Sequence, residues 1–395
     1  MTRPHVVFLS LLIMTACGNL SKEQLTEPVV TETPKSIEVL AAITQKSAEL
    51  PLKSIKLPKG FVIEIYAEVE NARSMALSPA GTLFVGNRNE DKVYALQDTD
   101  GDFKADKKYI LASGLKMPNG VAFKDGDLYI AEKSKISKIS QVESNLAAPG
   151  KLQLVYDKFP TDDSHGWKYI AFGPDGKLYV PVGAPCNICE PSNPVYASIT
   201  RINPDGTDFE IFASGIRNTV GFTWHPTTKN IWFTDNGRDR LGDNTPPCEL
   251  NTATQKGQHF GYPYCHGGTV KDPEFGNKRP CSDFVKPVQP LGAHVAPLGI
   301  KFYTGSQFPS DYKNQIFIAE HGSWDRSKKT GHRLVLVKVD ANGKSQSYDT
   351  FASGWLDEAT QKRWGRPVDM ILLKDGSMLV SDDYADVIYR ISYKD

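Results

Sequence analysis

The sequence predicts an all-β fold, a six-bladed β-propeller of four-stranded antiparallel blades. Three observations carry this. One phrase, an apolar strand, a turn and a second strand of alternating pattern, recurs six times. Further strands follow most copies, with little helical periodicity between them. The folded region also opens on a strand without a local partner, while its last unit is one strand short.

Taken in order, the first copy runs from Met75-Ala76-Leu77 through Pro79 and Gly81 into Leu83-Phe84-Val85. The second turns at Asp125-Gly126, between Val121-Ala122-Phe123 and Leu128-Tyr129-Ile130, and the third at Pro174-Asp175-Gly176, between Ile170-Ala171-Phe172 and Leu178-Tyr179-Val180. The fourth and fifth are looser: Phe222-Thr223-Trp224 leads to Ile231-Trp232-Phe233, and Ile300-Lys301-Phe302 leads to Ile316-Phe317-Ile318. The sixth turns at Asp375-Gly376 between Met370-Ile371-Leu372 and Met378-Leu379-Val380. Pro presets the turn dihedral and Gly accepts positive φ, so these residues end strands for a physical reason. Third strands follow at 92–96, 198–202 and 387–391, and fourth strands end in a shared Ala-Ser-Gly at 112–114, 213–215 and 352–354. Pairing the orphan strand 61–67 with the C-terminal unit would complete that blade, close the ring and remove an exposed sheet edge.

Residues 1–17 read as a lipoprotein signal peptide. Arg3 and His5 precede the apolar run Val6 to Met14, and small residues lead to Cys17, the expected lipidation site. That run is too short to span a bilayer. Residues 18–56, rich in Thr, Glu, Pro, Lys and Ser, read as a disordered tether, with a short helix over Ile37 to Ala48, and 57–395 as the propeller. The chain is thus expected to be exported and lipid-anchored in the cell envelope, facing the periplasm or the outside. Gly18, not aspartate, follows the lipidated cysteine, which points to the outer membrane. Charge sets a further bound: 46 basic and 46 acidic residues cancel, so no global field recruits nucleic acid and binding is expected in a local pocket.

Export permits disulfides. Cys186 and Cys189 read as a small disulfide, with zinc as the alternative, although no second pair at like spacing exists. Cys265 and Cys281 flank a Gly-rich loop and can brace it, which leaves Cys248 over. The run Asp98-Thr99-Asp100-Gly101-Asp102, with Asp106 beyond, begins like a calcium loop, but Phe103 stands where glycine belongs and Tyr109 where glutamate belongs.

A polar or cationic residue sits shortly ahead of the first strand of every unit: Arg73, Asn119, His165, Arg217, His294 and Arg366. Blades stacked around an axis bring all six to the mouth of one channel. Three arginines, two histidines and an asparagine there suit a ligand bearing several carboxylates or phosphates. The loop 234–244 and Glu249 add oxygen atoms suited to a hard cation.

With these residues in view, the chain resembles the soluble pyrroloquinoline quinone (PQQ) dependent sugar dehydrogenases, most closely their L-sorbosone dehydrogenase-like branch. The resemblance covers about residues 57–395 and is carried by Ser164-His165-Gly166-Trp167, Gly215-Ile216-Arg217-Asn218, Thr234-Asp235-Asn236-Gly237-Arg238-Asp239, Phe260-Gly261-Tyr262-Pro263 and Ala319-Glu320-His321-Gly322-Ser323-Trp324. It implies oxidation of an aldose, an aldosulose or a related sugar by hydride transfer to PQQ. His165 would be the general base and Arg217 the stabiliser of charge on the quinone, with Asn218 beside it. Arg73, His321 and Arg366 would hold the cofactor carboxylates, and calcium would sit on main-chain oxygens of Gly237 and Arg238. A cytochrome or quinone in the periplasm or membrane would take the electrons.

Two positions depart from the family pattern: Ala184 replaces an aspartate that tunes the base in the glucose dehydrogenase branch, and Cys248 replaces an aspartate in Cys248-Glu249-Leu250-Asn251. Two other readings belong to different classes, a calcium-dependent propeller lactonase and a non-enzymatic binding propeller of the envelope. The lactonase predicts acidic metal ligands from several blades, whereas the strand-entry positions here are cationic, imidazole or amide.

Overall fold

A computed structural model describes residues 38–39 and 45–394. The expected signal peptide, Cys17 and most of the tether lie outside the described residues. Of the helix expected over 37–48, the described residues show Gln45–Ala48 helical and Glu38–Val39 as a strand.

Among the described residues, six sheets of four or five antiparallel strands form the six blades of the propeller. The first comprises Ala72–Leu77, Leu83–Asn87, Val93–Gln97 and Lys107–Ala112, with Glu38–Val39 added at its outer edge. The second and third run from Gly120–Lys124 to Gln153–Tyr156 and from Ala171–Phe172 to Glu210–Ser214. The fourth holds Phe222–Trp224, Ile231–Asp235, Pro247–Ala253 and Gln289–Ala293. The fifth runs from Pro297–Phe302 to Ser345–Ala352. In the sixth, Pro367–Leu372, Met378–Asp382 and Val387–Tyr393 are joined by Phe61–Glu68, which pairs with Val387–Tyr393 from Phe61 opposite Tyr393 to Glu68 opposite Val387.

The core is divided among the blade interfaces. One apolar cluster lies between each pair of neighbouring blades: Phe84 with Val121, Tyr129 with Leu178, Tyr179 with Phe222, Trp232 with Ile300, Phe317 with Met370, and Leu379 with Val85. Five of the six second strands are buried along their whole length, as in Leu83–Asn87 and Ile316–Glu320, because both faces meet a neighbouring blade. Each fully buried Leu, Ile or Phe side chain contributes roughly 1.5–3 kcal/mol.

Cys186 is joined to Cys189 and Cys265 to Cys281, so those thiols are committed to disulfides and the zinc alternative is set aside. Cys248 is the free cysteine among the described residues. In the acidic loop Phe103 adopts φ 66°, the left-handed conformation that glycine would take more easily, while Asp98 accepts from the Gly101 and Phe103 amides.

Candidate active site

In each blade the chain enters the first strand and leaves the second on the same face. Two sets of residues therefore meet there: those ahead of first strands and those just past second strands. They surround a cavity of about 300 Å³, within the size range of small-ligand sites.

Of the residues singled out from sequence, Arg73, His165, Arg217, Asn218, Gly237, His294, His321 and Arg366 line this cavity. Arg73 lies inside its strand, not ahead of it, because the register of Ala72–Leu77 breaks between Ala72 and Met75 and turns the side chain inward. Asn119 is corrected from cavity wall to brace: it is fully buried, accepts from Arg73 Nε at 2.8 Å and donates to the Lys168 carbonyl at 2.8 Å. The Arg238 side chain is turned away, to Asp272 at 2.6 Å and Glu274 at 3.1 Å.

Sequence reasoning missed Arg88 and Asp383, and quoted Asp239 and Trp324 within motifs without giving either a role. All follow the ends of second strands, at Asn87, Asp235, Glu320 and Asp382. Arg88 and Asp383 directly follow their strands, whereas Asp239 and Trp324 lie four residues past theirs.

Four guanidiniums, those of Arg73, Arg88, Arg217 and Arg366, face the cavity. Arg73 donates to Asp383 Oδ2 at 2.9 Å, and His321 Nε2 lies 2.7 Å from Asp383 Oδ1. Burial pushes Asp383 up, but His321, Arg73 and Arg366 outweigh it and hold the carboxyl well below the usual range. Burial brings His321 down to about 3 against the pull of Asp383, so the neutral ring donates its Nε2 proton. Arg217 reaches Asp239 at 3.1 Å and the Asn187 carbonyl at 2.8 Å. Four guanidiniums less the carboxylates of Asp383 and Asp239 leave an excess of two positive charges among these residues. Burial lowers Arg88 and Arg366 to about 10 each, and Arg73 repels both.

The wall also holds donors without acceptors. Arg88 stacks on Trp167 at 3.8 Å, and both Arg88 Nε and Trp167 Nε1 are buried without a hydrogen-bond partner. Leaving a buried donor unsatisfied costs about 1–3 kcal/mol. Surplus cations and orphaned donors around one small cavity fit a compact ligand with several carboxylates.

His165 sits at φ 50° with Nδ1 2.7 Å from the Ala184 carbonyl oxygen. A carbonyl only accepts, so Nδ1 carries the proton and Nε2 keeps its lone pair. Gly183 permits this approach, since a Cβ there would lie 2.5 Å from His165 Cβ. Burial, then Arg217, lowers the ring to about 3 even though the Ala184 bond favours the charged form. The imidazole is therefore neutral at ordinary pH.

Blade four supplies the remaining wall. Asp235, at the end of its strand, accepts from the Arg217 and Asn218 amides at 2.9 and 2.7 Å, which fixes the backbone of both residues. Asn236 and Gly237 then turn into the cavity, with Cys248 behind them. Burial pushes the Cys248 thiol up to about 12, so a neutral group stands where the family pattern has a carboxylate.

Known proteins match this chain at the level of both sequence and fold. An uncharacterized protein of Borreliella burgdorferi is 36% identical over 374 residues, covering 91% of this chain and 96% of that protein. A pyrroloquinoline quinone-dependent sugar dehydrogenase of Hypocrea jecorina is 29% identical over 167 residues, 34% of this chain and 35% of that one. Among solved structures, the holo form of the pyranose dehydrogenase PQQ domain from Coprinopsis cinerea superposes with a TM-score of 0.74 at 17% identity, covering 86% of this chain and 97% of that domain. At that identity the likeness is one of fold. The TrAA12-like family model matches residues 55–394, the whole propeller with its two sets of cavity loops, and the chain belongs to that family.

Proposed function

We propose that this chain oxidises an aldose, an aldosulose or a related sugar with PQQ as its bound acceptor and calcium beside it. The observation that carries the reading is the cavity itself, four guanidiniums around about 300 Å³ with a neutral histidine among them. PQQ-dependent sugar dehydrogenases among the relatives support it.

Arg73, Arg88 and Arg366 would hold the cofactor carboxylates as charge-assisted donors. Arg217 and Asn218 would face the quinone end, and main-chain oxygens of Gly237 and Arg238 would take calcium. Bound, the pair supplies an ortho-quinone that accepts hydride and a Lewis acid that polarises it. His165 Nε2 takes the proton from the sugar hydroxyl as the C–H bond gives up its electron pair, so one hydroxyl becomes one carbonyl. The two electrons would then pass to a cytochrome or quinone of the envelope, consistent with the lipid anchor expected at Cys17. The hydrolase alternative needed carboxylates from several blades; among the described residues the cavity lining presents Asp239 as its carboxylate.

The test is reconstitution of the purified protein with PQQ and calcium, followed by dye reduction across a panel of sugars. Cofactor binding by absorbance with turnover of at least one sugar is expected. Absence of binding overturns the reading.

A further inference from the structure

A second cluster shares Asp239 and His294 with the cavity wall and forms where three segments meet: the loop after Ile231–Asp235, the residues leading into Pro297–Phe302 and the loop after Ile316–Glu320. Each brings one side chain, Asp239, His294 and Asp325, and one ligand atom of each lies within 4.8 Å of the other two.

Each side chain has its other polar atom already spent. Asp239 Oδ2 accepts from Arg217 at 3.1 Å, and Asp325 Oδ2 accepts from the Arg240 amide at 2.8 Å. His294 Nε2 lies 2.8 Å from the Gly242 carbonyl oxygen, which can only accept. Nε2 therefore carries a proton, which leaves Nδ1 as the atom that can serve as a ligand. The His294 side chain is 4% exposed, and Nδ1 faces Asp239 Oδ1 at 3.9 Å, too far for a hydrogen bond. Asp325 brings a second carboxylate to the same place. The arrangement is balanced when a cation sits among the three.

We propose that Asp239, His294 and Asp325 hold a divalent transition-metal cation, zinc or manganese, at a site separate from the main-chain oxygens expected to take calcium. An imidazole nitrogen with two carboxylate oxygens suits these ions, whereas calcium and magnesium favour all-oxygen shells. The Nε2 proton on a backbone carbonyl is the outer contact that fixes a ligating histidine. Asp243 accepts from the Ser327 amide at 3.0 Å and Arg326 donates to Asn244 at 3.2 Å, so the two long loops are already tied nearby. The metal clips them a second time and holds Asp239 against Arg217.

The test uses the full chain after chelation, without PQQ or calcium, titrated with zinc chloride and with manganese chloride by calorimetry. One site per chain is expected, weakened about 10–100-fold or more in His294→Ala and in Asp325→Asn. Zinc should raise the thermal midpoint of the wild type and not of Asp325→Asn. Metal-free Asp325→Asn should melt no lower than metal-free wild type, because it removes a like-charge contact. Wild type that binds neither metal more tightly than about millimolar, a folded Asp325→Asn that binds undiminished, or displacement by equimolar calcium each overturns the proposal.

Discussion

The Nδ1 proton of His165 is held 2.7 Å from the carbonyl oxygen of Ala184. The main-chain carbonyl of Ala184 thus orients the ring directly, at the position where the glucose dehydrogenase branch has an aspartate. A carbonyl fixes the tautomer without adding charge. Burial and Arg217 then keep the ring neutral, down at about 3, with Nε2 free to accept a proton.

His165→Ala should lower kcat by about 10²–10⁴-fold while leaving PQQ bound, since general-base catalysis is worth that much. Dye reduction and cofactor absorbance read the two separately. Activity in the variant at the wild-type rate removes His165 from the mechanism.

Arg88→Met and Arg366→Met should each weaken PQQ binding by about 10–100-fold, the loss of one charge-assisted contact of about 1.5–3 kcal/mol. Arg88 is the sharper case, because its Nε has no protein partner to lose. Titration of the chelated protein with PQQ in excess calcium measures both. Unchanged affinity in Arg88→Met places the carboxylates elsewhere.

The blades were legible because a strand buried on both faces must be apolar and its turn must carry Gly, Pro or Asp, as at Pro174-Asp175-Gly176. The cavity residues ahead of first strands were legible by the same repeat. Arg88 and Asp383 were not, because the position just past a second strand holds Arg88, Glu132, Gly183, Asn236, His321 and Asp383 in the six blades, so no shared chemistry marks it. Asn119 shows the other limit. Its position matches the arginines, but its short amide stops at Arg73 Nε and never reaches the cavity. The partner of His165 was hidden for a different reason: a backbone carbonyl acts whatever side chain it belongs to, so Ala184 read as a loss.

Glu249 and Asp235 are buried together, and burial first, then Asp235, pushes Glu249 up to about 8. The folded carboxyl keeps its proton above the ordinary value of 4.5, while the unfolded one releases it. Stability from this group is thus fully present below about pH 4.5 and is lost as pH rises toward 8, by at most about 1.4 kcal/mol per pH unit. Glu249→Gln removes that slope. Its carbonyl can still accept from the Gly267 amide, and turning the Asn251 amide over replaces the bond from Asn251 Nδ2 to Glu249 Oε2 at 2.9 Å with one from the new NH₂ to Asn251 Oδ1. The thermal midpoint of the variant relative to wild type should rise between pH 5 and pH 8; a constant difference contradicts the protonated carboxyl.

Lys168 is 2% exposed and donates to the Gly166 carbonyl at 2.7 Å, one residue beyond His165. Burial, with Lys133 adding repulsion, lowers it to about 7. Two effects separate in Lys168→Met. The variant loses the hydrogen bond that fixes the His165 loop, so kcat should fall about tenfold with PQQ affinity unchanged, the cost of roughly one hydrogen bond of 1–1.5 kcal/mol. It also removes a buried ammonium whose desolvation is unfavourable, so at pH 7 it should melt no lower than wild type. The sign of the pH dependence follows from the lowered value. Between about 7 and the ordinary 10.5 the unfolded lysine binds a proton that the folded one does not, so wild-type stability rises with pH across that window. The advantage of the variant should therefore shrink from pH 7 to pH 10, by at most about 1.4 kcal/mol per unit. A melting difference that stays flat over this range, or a kcat equal to wild type, removes Lys168 as a positioning residue for the base.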